Sequence, residues 1–362
     1  MEVVPLDPRL SFGAEVRGVD LTRPLTEEEA AAIRTAWLEH HLLVFRGQAL
    51  QPADEVRLAK LFPHDETKEG AELWGGGYKQ LRAKGPQRTA RLYVPAAPEV
   101  ELRGVATLHD HFGCDGELKE SNPPAEWHTD GTDRPEDSGP PIYTQMYSAI
   151  APAEGGNTMF ASALLAWQLL PPALQARASK LRARLTTEPF EMEPQWGGRR
   201  GRPTFNPVQP PDYDVTHPLC RLHPRTGEPA LCVAPLFLHS MEGVDDAGNP
   251  VVLPPDEAHE LCAELLGPGV SEEHVLSWKW SEGDLVCWDN LAMLHSPTAS
   301  DDLRGERLCH RVRMNTGAHY RSTAAATPEE GARLRPPSAL PEGVEPWPWA
   351  LSVAGSQADA RL

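Results

Sequence analysis

Glu126-Trp127-His128-Thr129-Asp130-Gly131 reads as half of a metal site, and whatever fold the chain adopts has to bring the other half to it. On extended backbone, residues i and i+2 point to the same face. His128 and Asp130 can therefore present an imidazole nitrogen and a carboxylate oxygen to one ion, with Thr129 turned away. A mononuclear iron oxygenase needs two His and one carboxylate on one face of the metal, leaving the opposite positions open for co-substrate and oxygen. The missing His has to come from a distant strand. His295, closing the run Trp288-Asp289-Asn290-Leu291-Ala292-Met293-Leu294-His295, is the candidate.

Composition narrows the partners. The 362 residues carry 34 Lys plus Arg against 52 Asp plus Glu, a net charge of −18. Nucleic acids and anionic membranes both call for a basic surface, so neither is expected as a partner. The 37 prolines and 29 glycines suit a loop-rich β protein better than a helical bundle. Six cysteines are scattered without a Cys-x-x-Cys pair, which leaves zinc, redox and disulfide frameworks unsupported. The start lacks a basic region followed by an apolar run, and no stretch approaches the roughly 20 apolar residues of a membrane span. A soluble, intracellular, cytoplasmic protein is the expectation.

Along the chain, Thr26-Glu27-Glu28-Glu29 is a capping-box pattern that starts a helix carrying Ile33 and Trp37, and Leu42–Gly47 reads as a buried strand. From His64 to Glu120 the pattern dissolves into glycine, charge and short apolar pieces, which reads as a lid insertion at about 64–120. Pro141–Ser148 alternates like a strand, Gly155–Phe160 turns into another, and Ser162 caps a helix over Ala163–Leu170, with a second from Pro172 through Leu181. Pro189–Pro211 is another excursion, and His223–Glu228 is the turn of a hairpin. Asp256–Leu266 forms an amphipathic helix, Gly283–Trp288 a strand, and Arg307–Met314 the last one. Many short strands, with helices gathered at the start and in the middle, predict an α+β, mostly β chain: a β-sandwich or jelly roll decorated by helices. Residues 1–322 read as a single domain and the Pro-rich 323–362 as a tail.

Together these segments resemble the TauD/TfdA-like (taurine dioxygenase) family of Fe(II)- and 2-oxoglutarate-dependent dioxygenases, which fold as a double-stranded β-helix. The matching pieces are Gly13–Asp20, Asn122–Asp130, Gly155-Gly156-Asn157-Thr158, His217-Pro218 with His223-Pro224, Gly283-Asp284, Trp288-Asp289-Asn290, His295, and Arg307-Leu308-Cys309-His310-Arg311. By position the resemblance makes His128, Asp130 and His295 the iron ligands. It gives Thr158 a hydroxyl contact to 2-oxoglutarate and makes Arg307 the partner of that co-substrate's distal carboxylate. A planar guanidinium suits the latter role, since it holds a carboxylate through parallel charge-assisted bonds and keeps its charge. Arg311, four residues on, either borders the substrate's anionic group or pairs structurally. His64 falls near a substrate-contacting histidine of the family.

Rival clusters are weaker. His109-Asp110-His111 has no third ligand beside it and reads as lid polarity. Trp278, Trp280 and Trp288 read as core, and Cys309 beside His310 as a small core residue rather than a nucleophile. The run after the His-x-Asp departs from the family: Gly131-Thr132-Asp133 stands where relatives have an aromatic. Asp133 then either reads a polar, amine-bearing substrate or faces solvent in a lengthened loop. Leu291 stands where an arginine is frequent, so a family salt bridge is not expected.

The resemblance implies hydroxylation, or another oxidation of a C–H bond, of a small organic molecule. Dioxygen is consumed and 2-oxoglutarate is decarboxylated to succinate and carbon dioxide. Desaturation, cyclisation or epimerisation on the same scaffold, or a non-catalytic metal-binding sensor, are the alternatives. Relatives often form dimers or tetramers, so a homo-oligomer is compatible, though no interface is legible.

Overall fold

A computed structural model of the chain describes residues 1–62, 92–94, 97–107, 117–119, 127–132, 141–186, 214–223, 225–298 and 302–314. The described residues group into two compact units. One draws on Met1–Glu126, Pro141–Phe160 and Val275–Gly317, the other on Trp127–Pro140 and Ala161–His274.

The first unit opens with an antiparallel pair, β1 (Glu2–Pro5) and β2 (Ala14–Arg17). Helix α1 (Glu27–His40) starts on the expected capping box: Thr26 Oγ1 accepts from the Glu29 N–H at 3.2 Å, and Glu29 returns a carboxylate to the Thr26 N–H at 2.9 Å. It buries Ile33 and Trp37 and ends at His41, whose left-handed backbone (φ 55°) turns the chain directly into β3 (Leu42–Phe45), buried at all four positions. Helix α2 (Pro52–Ala59) follows, then β4 (Leu92–Val94), β5 (Ala97–Thr107), β6 (Glu117–Lys119), β7 (Tyr143–Ile150) and β8 (Thr158–Ser162).

In the second unit, α3 (Ala163–Gln168) begins on Ser162, whose hydroxyl accepts from the Leu165 N–H, and α4 (Pro172–Ala178) begins with proline. Strands β9 (Leu181–Thr186), β10 (Asp214–Pro218), β11 (Cys220–Leu222), β12 (Pro229–Leu231), β13 (Leu238–Val244) and β14 (Pro250–Leu253) come next. Their pairings give a four-stranded sheet in the order β10-β9-β13-β14 and the expected hairpin β11-β12. Helix α5 (Pro255–Leu266) lays Ala258, Leu261, Cys262 and Leu265 inward and packs on β13.

The chain then returns to the first unit with β15 (Val275–Trp278), β16 (Leu285–Asp289), β17 (Met293–Pro297) and β18 (Arg307–Met314). A nine-stranded sheet runs β1-β2-β3-β16-β7-β18-β5-β4, with β6 on β5, and a three-stranded sheet runs β15-β8-β17. The core of this unit gathers Phe12, Leu42, Val44, Phe160, Trp278, Trp280, Trp288 and Met293.

One expectation changes. Within the stretch read as a lid, β4, β5 and β6 are strands of the large sheet, and β5 is hydrogen-bonded along β18. The Glu99-Val100-Glu101-Leu102-Arg103 run hides a strand because its charged residues alternate with apolar ones and resemble loop composition. Residues 63–91, 108–116 and 120–126, the whole Pro189–Pro211 excursion and the 323–362 tail lie outside the described residues.

Cys220, Cys232, Cys262, Cys287 and Cys309 are buried, and among the described residues none forms a disulfide. Burial pushes the Cys262 and Cys287 thiols up to about 12. Because the thiolate is the reactive form, neither position should label with iodoacetamide at about pH 8 in the native protein, and both should label in denaturant. Peptide mass spectrometry checks this, and native labelling at either cysteine would contradict the packing described.

Candidate active site

His295 owes its position to a change of sheet. Strand β16 lies in the large sheet and β17 in the three-stranded one, so the turn Asp289–Ala292 carries the chain from one to the other. Asp289 Oδ1 accepts the Leu291 N–H at 3.0 Å, a local turn bond of the kind Asp favours. The Asn290 side chain donates to the Pro141 carbonyl at 2.7 Å, and its backbone N–H donates to the Ile142 carbonyl at 2.8 Å. The imidazole of His295 then packs beside Trp288 (ring centroids 5.1 Å apart) and Phe160 (6.4 Å), which fixes its plane.

His128 and Asp130, in the second unit, and His295, in the first, each offer one ligand atom that could hold a metal ion. Asp130 and His295 are buried and His128 is half-buried. His128 Nε2 and Asp130 Oδ1 are 4.0 Å apart, beyond direct hydrogen bonding and compatible with an ion between them. Two imidazoles and one carboxylate form the donor set of non-haem iron sites that keep open positions. The residues fit the metal.

Arg307 opens β18 and is 7% exposed. Among the described residues its guanidinium has no ion-pair or hydrogen-bond partner, and its Nε is fully buried. Two glycines make room for it. A Cβ on Gly156 (φ +67°) would stand 3.1 Å from Arg307 Cδ and 2.8 Å from Leu303 Cδ1. A Cβ on Gly104, which faces Leu308 across the β5–β18 pairing, would strike the Arg307 carbonyl. A bulge between Leu308 and Cys309 in the β18–β7 pairing further re-aims the strand at this point. The Gly155-Gly156 turn that admits the arginine stem also delivers Thr158 at the start of β8. Thr158 is buried, and its Oγ1 accepts the Trp280 indole N–H at 3.0 Å.

A model of the taurine catabolism dioxygenase TauD, TfdA family matches residues 2–313. The chain belongs to this family. Similar to it are the alpha-ketoglutarate-dependent sulfate ester dioxygenase of Pseudomonas putida, 29% identical over 87% of this chain and 89% of that protein, and the (S)-phenoxypropionate/alpha-ketoglutarate-dioxygenase of Delftia acidovorans, 27% identical over 79% of this chain and 86% of that one. Among solved structures, a taurine dioxygenase from Burkholderia xenovorans superimposes with a TM-score of 0.59 at 27% identity, covering 86% of this chain and 89% of its own. The TauD/TfdA-family fold is a double-stranded β-helix, α+β and mostly β, as the resemblance implied. The chain is thus an oxidoreductase, a 2-oxoglutarate-dependent dioxygenase.

Strand alternation places Arg307, Cys309, Arg311 and Arg313 of this TauD/TfdA-family enzyme on one face of β18. Arg311 donates through Nε and Nη2 to the buried Glu101 carboxylate at 3.0–3.2 Å, and Arg313 Nη2 donates to the same group at 2.8 Å. Glu101 stands directly opposite Arg311 on β5. Glu101 is not legible as a site residue in the sequence, because the strand that carries it has loop-like composition; its alternation with Val100 and Leu102 is the available signal. Arg311 is therefore paired structurally, and any contact with substrate shares its guanidinium with Glu101. On the other face, Nδ1 of His310 meets Glu55 Oε1 at 2.7 Å. Burial raises the Glu55 carboxyl above the usual range, with His310 opposing the shift. His64, Asp133 and His109-Asp110-His111 lie outside the described residues.

Gly156→Ala adds a methyl group between Leu303 and the Arg307 stem at a left-handed position, where a side chain costs roughly 1–2 kcal/mol before any clash. The variant should lose about 1–3 kcal/mol of stability in denaturant titration and bind 2-oxoglutarate more weakly than the wild type. Unchanged stability and unchanged binding together would show that Arg307 does not take this path.

Proposed function

We propose that the enzyme oxidises a C–H bond of a small organic molecule, by hydroxylation in the first instance, at one Fe(II) held by His128, Asp130 and His295. Dioxygen is the oxidant, and 2-oxoglutarate leaves as succinate and carbon dioxide. We take residues 1–322 as one dioxygenase domain, a reading supported by the span of the family match, 2–313.

The observation that carries the proposal is the buried Arg307 guanidinium, which has no partner among the described residues. An arginine cannot discharge itself by losing a proton, and a buried charge left unpaired costs several kcal/mol. A ligand carboxylate resolves that cost, and its two oxygens match the two-pronged guanidinium edge. The distal carboxylate of 2-oxoglutarate is such a group, and Thr158 adds a hydroxyl donor at the same end.

When bound, the iron supplies the binding positions for the keto acid and oxygen and the redox chemistry. The chain's own residues supply orientation. His295 is held by the Trp288 and Phe160 rings, so one ligand direction is set before metal arrives. Arg307 and Thr158 fix the far end of the co-substrate, which leaves its keto-acid end directed away from β18. By resemblance Arg311, Asp133 and His64 border the substrate. The similar enzymes act on a sulfate ester and a phenoxypropionate, so a small acid or ester of that kind is the class to screen first.

Anaerobic addition of Fe(II) and 2-oxoglutarate to metal-free protein should produce the weak visible charge-transfer band of a chelated keto acid. Arg307→Ala should weaken 2-oxoglutarate binding by about 100-fold, the equivalent of roughly 3 kcal/mol for removing one partner of a buried charge pair. His128→Ala should abolish tight iron binding and succinate formation together. Iron binding without the band, in the wild type, would defeat the co-substrate assignment.

A further inference from the structure

We infer that Trp280 is a positioning residue for the co-substrate: its indole N–H sets the direction in which the Thr158 hydroxyl proton points. This rests on the reading of Thr158 as a 2-oxoglutarate contact.

The logic is a count of donors and acceptors. A threonine hydroxyl has one proton to donate and two lone pairs to accept with, whereas an indole nitrogen can only donate. In the 3.0 Å contact between Trp280 Nε1 and Thr158 Oγ1 the direction is therefore settled: tryptophan gives and threonine accepts. The Thr158 proton must point elsewhere. Among the described residues Oγ1 makes no other hydrogen bond, so no acceptor among them takes that proton. Both residues are buried, Thr158 at 6% exposure and Trp280 at 3%, and a buried donor without an acceptor is costly.

An acceptor-only ligand relieves this arrangement, and a carboxylate is acceptor-only. Without the indole, the hydroxyl proton could also turn into the position that Trp280 now fills. The indole N–H excludes the proton from that position, which keeps it available to an acceptor-only ligand on the other side. Trp280 thereby makes Thr158 and Arg307 act in the same sense, both as donors, toward one anionic end. The surroundings hold the indole in place. Trp280 follows β15 directly, within the core cluster of Trp278, Trp288 and Phe160.

The test is a double-mutant cycle on anaerobic 2-oxoglutarate binding to the Fe(II)-loaded protein, read by the charge-transfer band, with Fe(II) affinity measured in parallel. Trp280→Phe and Thr158→Val should each weaken 2-oxoglutarate binding by about 5–20-fold, the range of one lost hydrogen bond in a buried site. In the Thr158→Val background, Trp280→Phe should add less than about 2-fold, because the hydroxyl it orients is gone. Fe(II) affinity should stay at the wild-type level throughout, and Thr158→Ser, which keeps the hydroxyl, should restore most of the binding.

Should Trp280→Phe not fold, the benzothienyl analogue of tryptophan at position 280 keeps the bicyclic shape without the N–H and should show the same loss. Full additivity of the two substitutions, or unchanged binding in either indole-lacking variant, would overturn the inference and leave Trp280 as packing alone. If Thr158→Val and Arg307→Ala both leave 2-oxoglutarate binding untouched, the co-substrate reading itself has failed, and the inference falls with it.

Discussion

All eight residues of β18 are buried, and three of them are arginines with a histidine between. Guanidinium groups keep their charge at any physiological pH, so each one buried has to find an anion or impose a penalty of several kcal/mol. The framework answers most of this demand itself. Glu101, facing across from β5, takes Arg311 and Arg313, and Glu55 on α2 takes His310. These pairs tie β18 to its neighbour strand and to the helix packed on its other face. Arg307 is the exception: among the described residues no carboxylate pairs with it, and the proposed 2-oxoglutarate contact rests on that feature.

The metal half of the site depends on a different constraint, the transfer of chain between two sheets. His295 could not stand beside Trp288 and Phe160 if β16 simply continued, because seven residues of straight strand would carry it roughly 20 Å away. The Asp289 turn bond and the Asn290 contacts to Pro141 and Ile142 make the reversal rigid. Leu291 is at the tip, and the turn is held by Asp289 and Asn290. His295, the proposed ligand, is thus placed by backbone geometry and by aromatic packing, both of which exist without an ion.

Much of this could be read from residue order, and the reasons for what could not are physical. The capping box at Thr26, the Ser162 cap, the hairpin around His223–Glu228 and the limits of β18 depend on local chemistry that a sequence displays directly. So do His128 and Asp130, two residues apart on extended chain. Strand β5 was obscured because its inward face carries Glu101 and Arg103, and charged residues in a strand look like loop until their partners are known. Glu101 pairs with Arg103 on its own strand and with Arg311 and Arg313, more than 200 residues away. Trp280 was read as core, which it is; what the sequence could not display is that one edge of a core residue touches Thr158.

The same region shows where backbone economy and ligand specificity meet. Gly104 and Gly156 both flank Arg307 at positive φ; a side chain on Gly104 would strike the Arg307 backbone, and one on Gly156 would press on Leu303 and the Arg307 stem. Glycine in such places loses more conformational entropy on folding than any other residue, so the two positions cost stability. What they provide is a narrow slot in which the arginine stem has few alternatives, and a guanidinium that cannot swing away loses little freedom when an anion arrives. Thr158, leaving the same glycine turn with its oxygen already satisfied by Trp280, is constrained in the matching way. For the proposed carboxylate contact, rigidity on the protein side at both groups makes preorganisation the chief source of affinity, with little rearrangement left to drive.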